Sequence, residues 1–234
     1  MAVRLVPMLK HASTATPARD PANVEWVTAP APVAYEAALE VMDARAAAIA
    51  DGNASECVWF LEHPPLFTAG TSAKDEELLD PRGLPVFKTG RGGRYTYHGP
   101  GQRIAYVMVD LSARGRDVRA YVATLEAWLI ATLRRLGVEG ERRPGAVGIF
   151  ANGAKIASIG VRLRRWVSLH GVSLNVSPNL EHFSGIVPCG LYETPVTSLA
   201  ALGAETDMAH VDTALRDAFL ESFSGPASDR SRSP

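Results

Sequence analysis

Residues 146–176 read AVGIFANGAKIASIGVRLRRWVSLHGVSLNV. Apolar residues dominate Ala146–Ala151 and again Lys155–Leu163, and the two runs meet at Asn152-Gly153. Asn and Gly are the residues that most readily take the positive φ angles a two-residue hairpin turn demands. Trp166–Val176 forms a third apolar run, so the stretch predicts an antiparallel meander. Upstream, Arg103–Leu111 (RIAYVMVDL) and Glu56–Glu62 (ECVWFLE) read as further strands. The second of these stops at His63-Pro64-Pro65, because proline cannot donate to a ladder.

Helices bracket this sheet. Val33–Ala50 is Ala-rich and Pro-free and ends at Asp51-Gly52, a helix with glycine as its stop signal. Asp117 caps a helix carrying Val118, Tyr121, Val122, Leu125, Trp128, Leu129, Leu133 and Leu136 at helical spacing, and Gly137 closes it. Asp207 caps a last helix through Phe223, with Val211, Leu215, Phe219 and Leu220 on its apolar side. Helices at both ends and strands between them give a mixed α/β (α+β) class with a largely antiparallel sheet.

The chain has 234 residues, 47% hydrophobic and 21% charged, a globular composition. No linker divides the middle, so residues 24–223 are expected to form a single domain. Residues 1–23, which include HASTATPARDPAN at 11–23, read as a flexible arm, and 224–234 (SGPASDRSRSP) as a disordered tail. No apolar run is long enough to span a bilayer, and the first 22 residues lack the apolar core of a secretory signal. Arg4, Lys10 and Arg19 precede the first acidic residue, Asp20, which leaves a transit peptide open. A reducing cytoplasm is the simplest compartment for two cysteines that make no disulfide scaffold.

The net charge is −1, which argues against a nucleic-acid-coating protein. The distribution is uneven: residues 82–165 hold 16 basic and 5 acidic side chains, and the remainder hold 8 and 20. A basic middle fits an anionic partner, and dispersed solvated arginine explains it equally well.

The densest chemistry lies in Arg91–Gln102, RGGRYTYHGPGQ, where glycine and proline alternate with hydrogen-bonding side chains. Glycines let backbone approach a ligand closely. The stretch matches neither a Walker A loop nor a GxGxxG fingerprint, and it is also readable as an elaborate turn. Cys189 sits between Pro188 and Gly190, on a turn, whereas Cys57 sits in an apolar strand and reads as packing. A turn cysteine is a nucleophile only if a nearby cation populates its thiolate. Lys155, one of four lysines against twenty arginines, is a candidate for that cation, since lysine can lose its proton when buried. His63, His98 and His170 are too widely spaced for a recognisable zinc motif, and no GxSxG elbow is present.

RGGRYTYHGPGQ, GAKIASIGVRLRRWVSLHGVSLNV, FSGIVPCGL and PVTSL together resemble the bacterial lipoyl(octanoyl) transferases, over about Val33 to Leu199. The resemblance implies the fold of the biotin and lipoate protein ligase catalytic domain. It implies transfer of an octanoyl or lipoyl group from acyl carrier protein to a lysine of a lipoyl domain. Those domains belong to 2-oxoacid dehydrogenase E2 subunits and the glycine cleavage H protein. It further implies an acyl-thioester on Cys189, with Lys155 tuning that cysteine. Neither ATP nor a metal is needed, because the acyl group arrives on phosphopantetheine. No nucleic acid or membrane partner is implied. The substrate site would be formed by Arg91, Gly92, Gly93, Arg94, Tyr95, Thr96, Tyr97 and His98 of the glycine-rich stretch. Ser158, Ile159 and Gly160, then His170, Gly171, Val172 and Ser173, would join it from the meander, with His63 as a pocket histidine. An ATP-dependent lipoate or biotin ligase of the same fold is the alternative, and a non-catalytic basic adaptor a distant one. Both implied protein partners are typically acidic. Arg94, Arg103, Arg142, Arg143, Arg162, Arg164 and Arg165 are therefore candidates for a docking rim.

Overall fold

In the computed structural model, residues 20–187 and 194–224 are described. The strands are β1 (Glu25–Thr28), β2 (Cys57–Leu61), β3 (Leu66–Ala69), β4 (Val86–Lys88), β5 (Tyr95–His98), β6 (Gln102–Met108), β7 (Glu141–Arg143), β8 (Ala146–Ala151), β9 (Ala154–Arg164) and β10 (Val167–Asn175). The α-helices are α1 (Tyr35–Ala50), α2 (Val118–Arg135) and α3 (Met208–Phe223). The meander is present: β8, β9 and β10 pair antiparallel in succession. Asn152 and Gly153 take φ of 49° and 78°, as the hairpin requires.

These strands belong to a seven-stranded sheet ordered β1-β2-β6-β10-β9-β8-β7, in which only β1–β2 is parallel. Both faces of its centre are covered. Along β6, Ala105 and Val107 face α2 and α3, where Leu125, Trp128, Leu129, Leu215 and Phe219 meet them. Ile104, Tyr106 and Met108 face α1, against Ala38, Met42 and Ile49. Burial on both sides is why β2 and β6 read as unbroken apolar runs.

The caps are those the sequence predicts. The Asp117 carboxylate accepts from Ala120 N at 2.9 Å, Asp207 accepts from Ala209 N at 3.2 Å, and Gly137 follows α2 with φ of 75°. Helix α1 starts at Tyr35 rather than Val33, with Ala34 making no side-chain cap. Val118 and Leu220 are solvent-exposed rather than on the apolar faces, at the first turn of α2 and the end of α3.

The folded region begins earlier than Val24. Asp20 accepts from Ala22 N, and Pro21–Asn23 forms a single 3-10 turn with Pro21 buried. Of the arm expected over 1–23 and the tail expected over 224–234, residues 1–19 and 225–234 lie outside the described residues, as does Cys189.

A three-stranded sheet, β4-β3-β5, has no counterpart in the sequence reading. Its strands are three to four residues long, too short for a periodic signal. Its core is Phe67, Ala69, Tyr95, Tyr97, Phe183 and Ile186. Four of the twelve residues of the glycine-rich stretch therefore form strand β5, all of them buried.

Candidate active site

A cavity of about 490 Å³, counting its open mouth, lies where the small sheet meets the α1-facing side of the large one. The glycine-rich stretch contributes Arg91, Gly93, Arg94, Tyr95, Thr96 and His98 to its wall. Strand β9 contributes Ser158, Ile159 and Gly160, and β10 contributes His170, Gly171, Val172 and Ser173. Pairing brings these strands together: Gly160 lies opposite Gly171 and Ser158 opposite Ser173. Three implied residues lie elsewhere. Tyr97 packs into the small sheet's core against Phe67 and Phe183. Gly92 ties the loop to β9 by donating its N–H to Val161 O at 2.9 Å. His63 sits behind Tyr106 rather than on the cavity wall. Tyr35, Ile104 and Tyr106 also line the cavity and were not anticipated. The alternation of RIAYVMVDL places Ile104 and Tyr106 on one face, a usable signal; Tyr35 carries none.

The lining looks polar by composition, yet Arg91 and His98 have their polar groups bonded to the structure behind the wall. Arg91 is buried, and its Nη2 donates to Thr68 O, Thr68 Oγ1 and Arg94 O at 2.9, 2.6 and 3.0 Å, its Nη1 to Gly92 O at 2.9 Å. The guanidinium fork thereby pins the loop to β3. Gly160 makes room for it: a Cβ there would stand 2.9 Å from Arg91 Cδ. His98 Nδ1 meets Gln102 Oε1 at 2.7 Å, Gln102 donates to Asn175 Oδ1, and Asn175 donates to Thr197 O, each at 2.9 Å.

His63 is fully buried between the Val33 carbonyl (2.6 Å) and the Tyr106 hydroxyl (2.7 Å). The carbonyl can only accept, so Nδ1 carries the proton and Nε2 accepts from Tyr106. Burial pushes His63 down to about 4. Burial first, then the Arg91 charge, pushes His170 to about 4 as well. Burial holds His98 well below the ordinary imidazole value, with His63 adding to the effect. Three neutral imidazoles therefore surround or back the cavity at neutral pH.

Lys155 is buried in β9, and its Nζ donates to Val147 O at 2.9 Å. A bulge sets its direction. Ile149 pairs with Ala157 but the next residue, Phe150, pairs with Lys155, so Ile156 is the extra residue. Ile156 and Ala157 both point into the α2/α3 core, and Lys155 shares the cavity-side face with Ser158. Without the bulge, residues three apart on a strand would face opposite sides. Backbone bonds join Lys155 to residues C-terminal to Cys189: Lys155 N donates to Pro195 O at 2.8 Å and Thr197 N to Lys155 O at 2.9 Å. On the other flank, Val187 N donates to Glu77 O at 2.8 Å, and Glu77 is ion-paired with Arg94. Cys57 is a core residue as expected; burial pushes its thiol up to about 12.

Burial removes one of the seven arginines expected at a docking rim, and four others are ion-paired. Arg103 is buried on the α3 side of the sheet, opposite the cavity, paired with Asp212 at 2.7 Å. Arg94, Arg142, Arg164 and Arg165 pair with Glu77, Glu126, Asp43 and Asp51. Arg143 lies 4.3 Å over the Phe150 ring and donates to Gly153 O, and Arg162 rests against Gly90. Much of the basic surplus is thus neutralised locally. Among the described residues no helix is long and apolar enough to cross a membrane, and no group of three or more His, Cys, Asp or Glu residues could hold a metal ion.

The family model described as the lipoyl protein ligase A/B catalytic domain matches residues 34–220. An octanoyltransferase of Hyphomonas neptunium is 58% identical over 214 residues, which cover 87% of this chain and 92% of that protein. An octanoyltransferase of Parvibaculum lavamentivorans is 59% identical over 207 residues, covering 85% and 92%. Among solved structures, lipoate-protein ligase A bound with ATP superposes with a TM-score of 0.69 at 18% identity, covering 86% of each chain. The biotin protein ligase of Aquifex aeolicus with biotin and ATP gives 0.51 at 11% identity, covering 86% of this chain and 68% of that one. These two likenesses speak to the fold.

Proposed function

Because the chain belongs to the lipoyl protein ligase A/B catalytic family, and within it to the octanoyltransferases, we propose that it moves an octanoyl or lipoyl group from acyl carrier protein to a lysine of a lipoyl domain. Cys189 carries the acyl group between the two, with Lys155 as its proton partner. The observation that carries this reading is the cavity itself. Its wall combines glycine backbone and apolar side chains with Arg91 and His98, whose polar groups are bonded to Thr68 and Gln102 behind the wall, an environment for a hydrocarbon chain. Burying such a chain is worth about 0.8 kcal/mol per methylene, so the tail contributes several kcal/mol to recognition. Lys155 stands on the same sheet face, three residues or about 10 Å along β9 from Ser158.

The chemistry proceeds in two exchanges. The Cys189 thiolate attacks the carbonyl carbon of the carrier thioester. A new C–S bond forms, the bond to pantetheine breaks, and the departing thiolate takes a proton from the Lys155 ammonium. Thioester for thioester is nearly isoenergetic, so no ATP is consumed. The amine of the incoming lysine then attacks the same carbonyl. Lys155, now neutral, accepts its proton, an amide forms, and the Cys189 thiolate is released beside the regenerated ammonium. In this reading no metal participates, the partners are the two acidic carrier domains, and a reducing cytoplasm keeps Cys189 a thiol.

Mixing the protein with octanoyl-acyl carrier protein and taking its intact mass tests the reading. An octanoyl adduct localised to Cys189, absent in Cys189→Ser, is expected. Full activity of Cys189→Ser would refute the covalent route. Modification of a lipoyl domain from free octanoate only when ATP is added would instead establish the ligase reading.

A further inference from the structure

Strand β8 directs three features at one atom, Lys155 Nζ. The Val147 carbonyl accepts its hydrogen bond at 2.9 Å. The Phe150 ring centroid is 5.9 Å from it. Between these two residues, Gly148 leaves out a side chain where one would collide. A Cβ at Gly148 would stand 2.9 Å from Lys155 Cε and 3.1 Å from Nζ, and 2.6 Å from the Ala157 carbonyl oxygen. Its φ of +120° is likewise one that residues with a side chain rarely adopt. The Ile156 bulge brings Lys155 directly opposite Phe150, so ring and stem share one face of the sheet.

A lysine side chain has four rotatable methylenes, and nothing intrinsic to it holds the amine in one place. We propose that Gly148 is a positioning residue for Lys155: the space left by its missing side chain is where the amine-bearing end of the stem lies, with the Phe150 ring as the adjoining wall. This rests on the reading of Lys155 as the proton partner of Cys189 and says what makes that role possible. A side chain at 148 pushes the amine away from its place. A displacement of about 1 Å costs a reacting group about a hundredfold in rate.

The test follows two readouts in the full-length protein, kcat with octanoyl-acyl carrier protein and the pH midpoint of Cys189 alkylation by iodoacetamide. Cys57 stays silent in the second because it is fully buried. Lys155→Met is expected to raise the midpoint and abolish most turnover. Gly148→Ala should raise the midpoint in the same direction and lower kcat about a hundredfold, with KM for carrier protein little changed. In the Lys155→Met background the same Gly148→Ala substitution should leave the alkylation midpoint where Lys155→Met put it, because only the amine sets the midpoint, whereas the collision with Ala157 O costs stability in both backgrounds. Phe150→Leu keeps the glycine and removes the ring; it should raise the midpoint by a smaller amount, and it decides the matter if Gly148→Ala does not fold. The proposal is overturned if the folded variants give the wild-type alkylation curve, or if Gly148→Ala shifts the midpoint as much without Lys155 as with it. A wild-type midpoint and turnover in Lys155→Met would instead overturn the role of Lys155 itself.

Discussion

Acid weakens this fold before its carboxylates titrate. His63 and His170 are both buried, and each has its ionisation pushed down from 6.5 to about 4. In the unfolded chain each imidazole titrates near 6.5. Below that pH the unfolded state binds protons that the native state refuses, so stability falls as pH drops from about 7 and levels off below about 4. At pH 5 each histidine contributes about 2 kcal/mol of loss, and the two together about 4 kcal/mol. His98, held low by the same burial, adds in the same direction. Against a typical reserve of about 5–15 kcal/mol this is a large fraction, and for a chain of this size it lowers Tm by roughly 8–16 °C between pH 7.5 and 5. Thermal unfolding followed by circular dichroism at half-unit steps of pH measures it. His170 has a φ of 61°, which asparagine tolerates, so His170→Asn removes one titrating group without backbone strain. Its loss between pH 7.5 and 5 should be smaller than the wild type's by about 2 kcal/mol. A wild-type Tm that is flat across this range, or an unchanged pH slope in His170→Asn, would refute the reasoning.

Two further outcomes come from the packing. Gly160→Ala places a Cβ against Arg91 Cδ, and Arg91 cannot move away without breaking its bonds to Thr68, Gly92 and Arg94. It should cost about 1–3 kcal/mol in denaturant unfolding and raise KM for octanoyl-acyl carrier protein; an unchanged KM would separate the arginine anchor from the substrate cavity. Asp212→Asn leaves the buried Arg103 guanidinium without its carboxylate and should destabilise by about 3–5 kcal/mol, with KM for carrier protein at low salt unchanged because the pair lies behind the sheet. A raised KM there would restore Arg103 to a docking role.

The basic middle of the chain shows how a one-dimensional count misleads. The +11 surplus of residues 82–165 is real, but most of its neutralising partners come from elsewhere in sequence. Asp43 and Asp51 of the first helix region reach Arg164 and Arg165, and Asp212 of α3 reaches Arg103. The glycine-rich stretch misleads in the opposite way. Its polar residues looked like ligand donors, and the fold commits Arg91 and His98 to holding the wall in place.

What was legible from the sequence is what neighbouring residues determine. Asn152-Gly153 sets a hairpin, Asp117 and Asp207 start helices, and a period of two or of 3.6 residues assigns faces. The order of motifs along the chain was also enough to point to the family and to thirteen of the residues around the cavity. The rest depends on partners distant in sequence. The small sheet exists because Leu66–Ala69 finds Val86–Lys88 and Tyr95–His98, pairings too short to announce themselves. Lys155 lies on the cavity-side face of the sheet because one extra residue, Ile156, resets the strand's alternation, and its amine has room because Gly148 stands across the ladder. A side chain's chemistry is written in its own residue, but its direction, its charge state and its free space are set by atoms that only folding brings near.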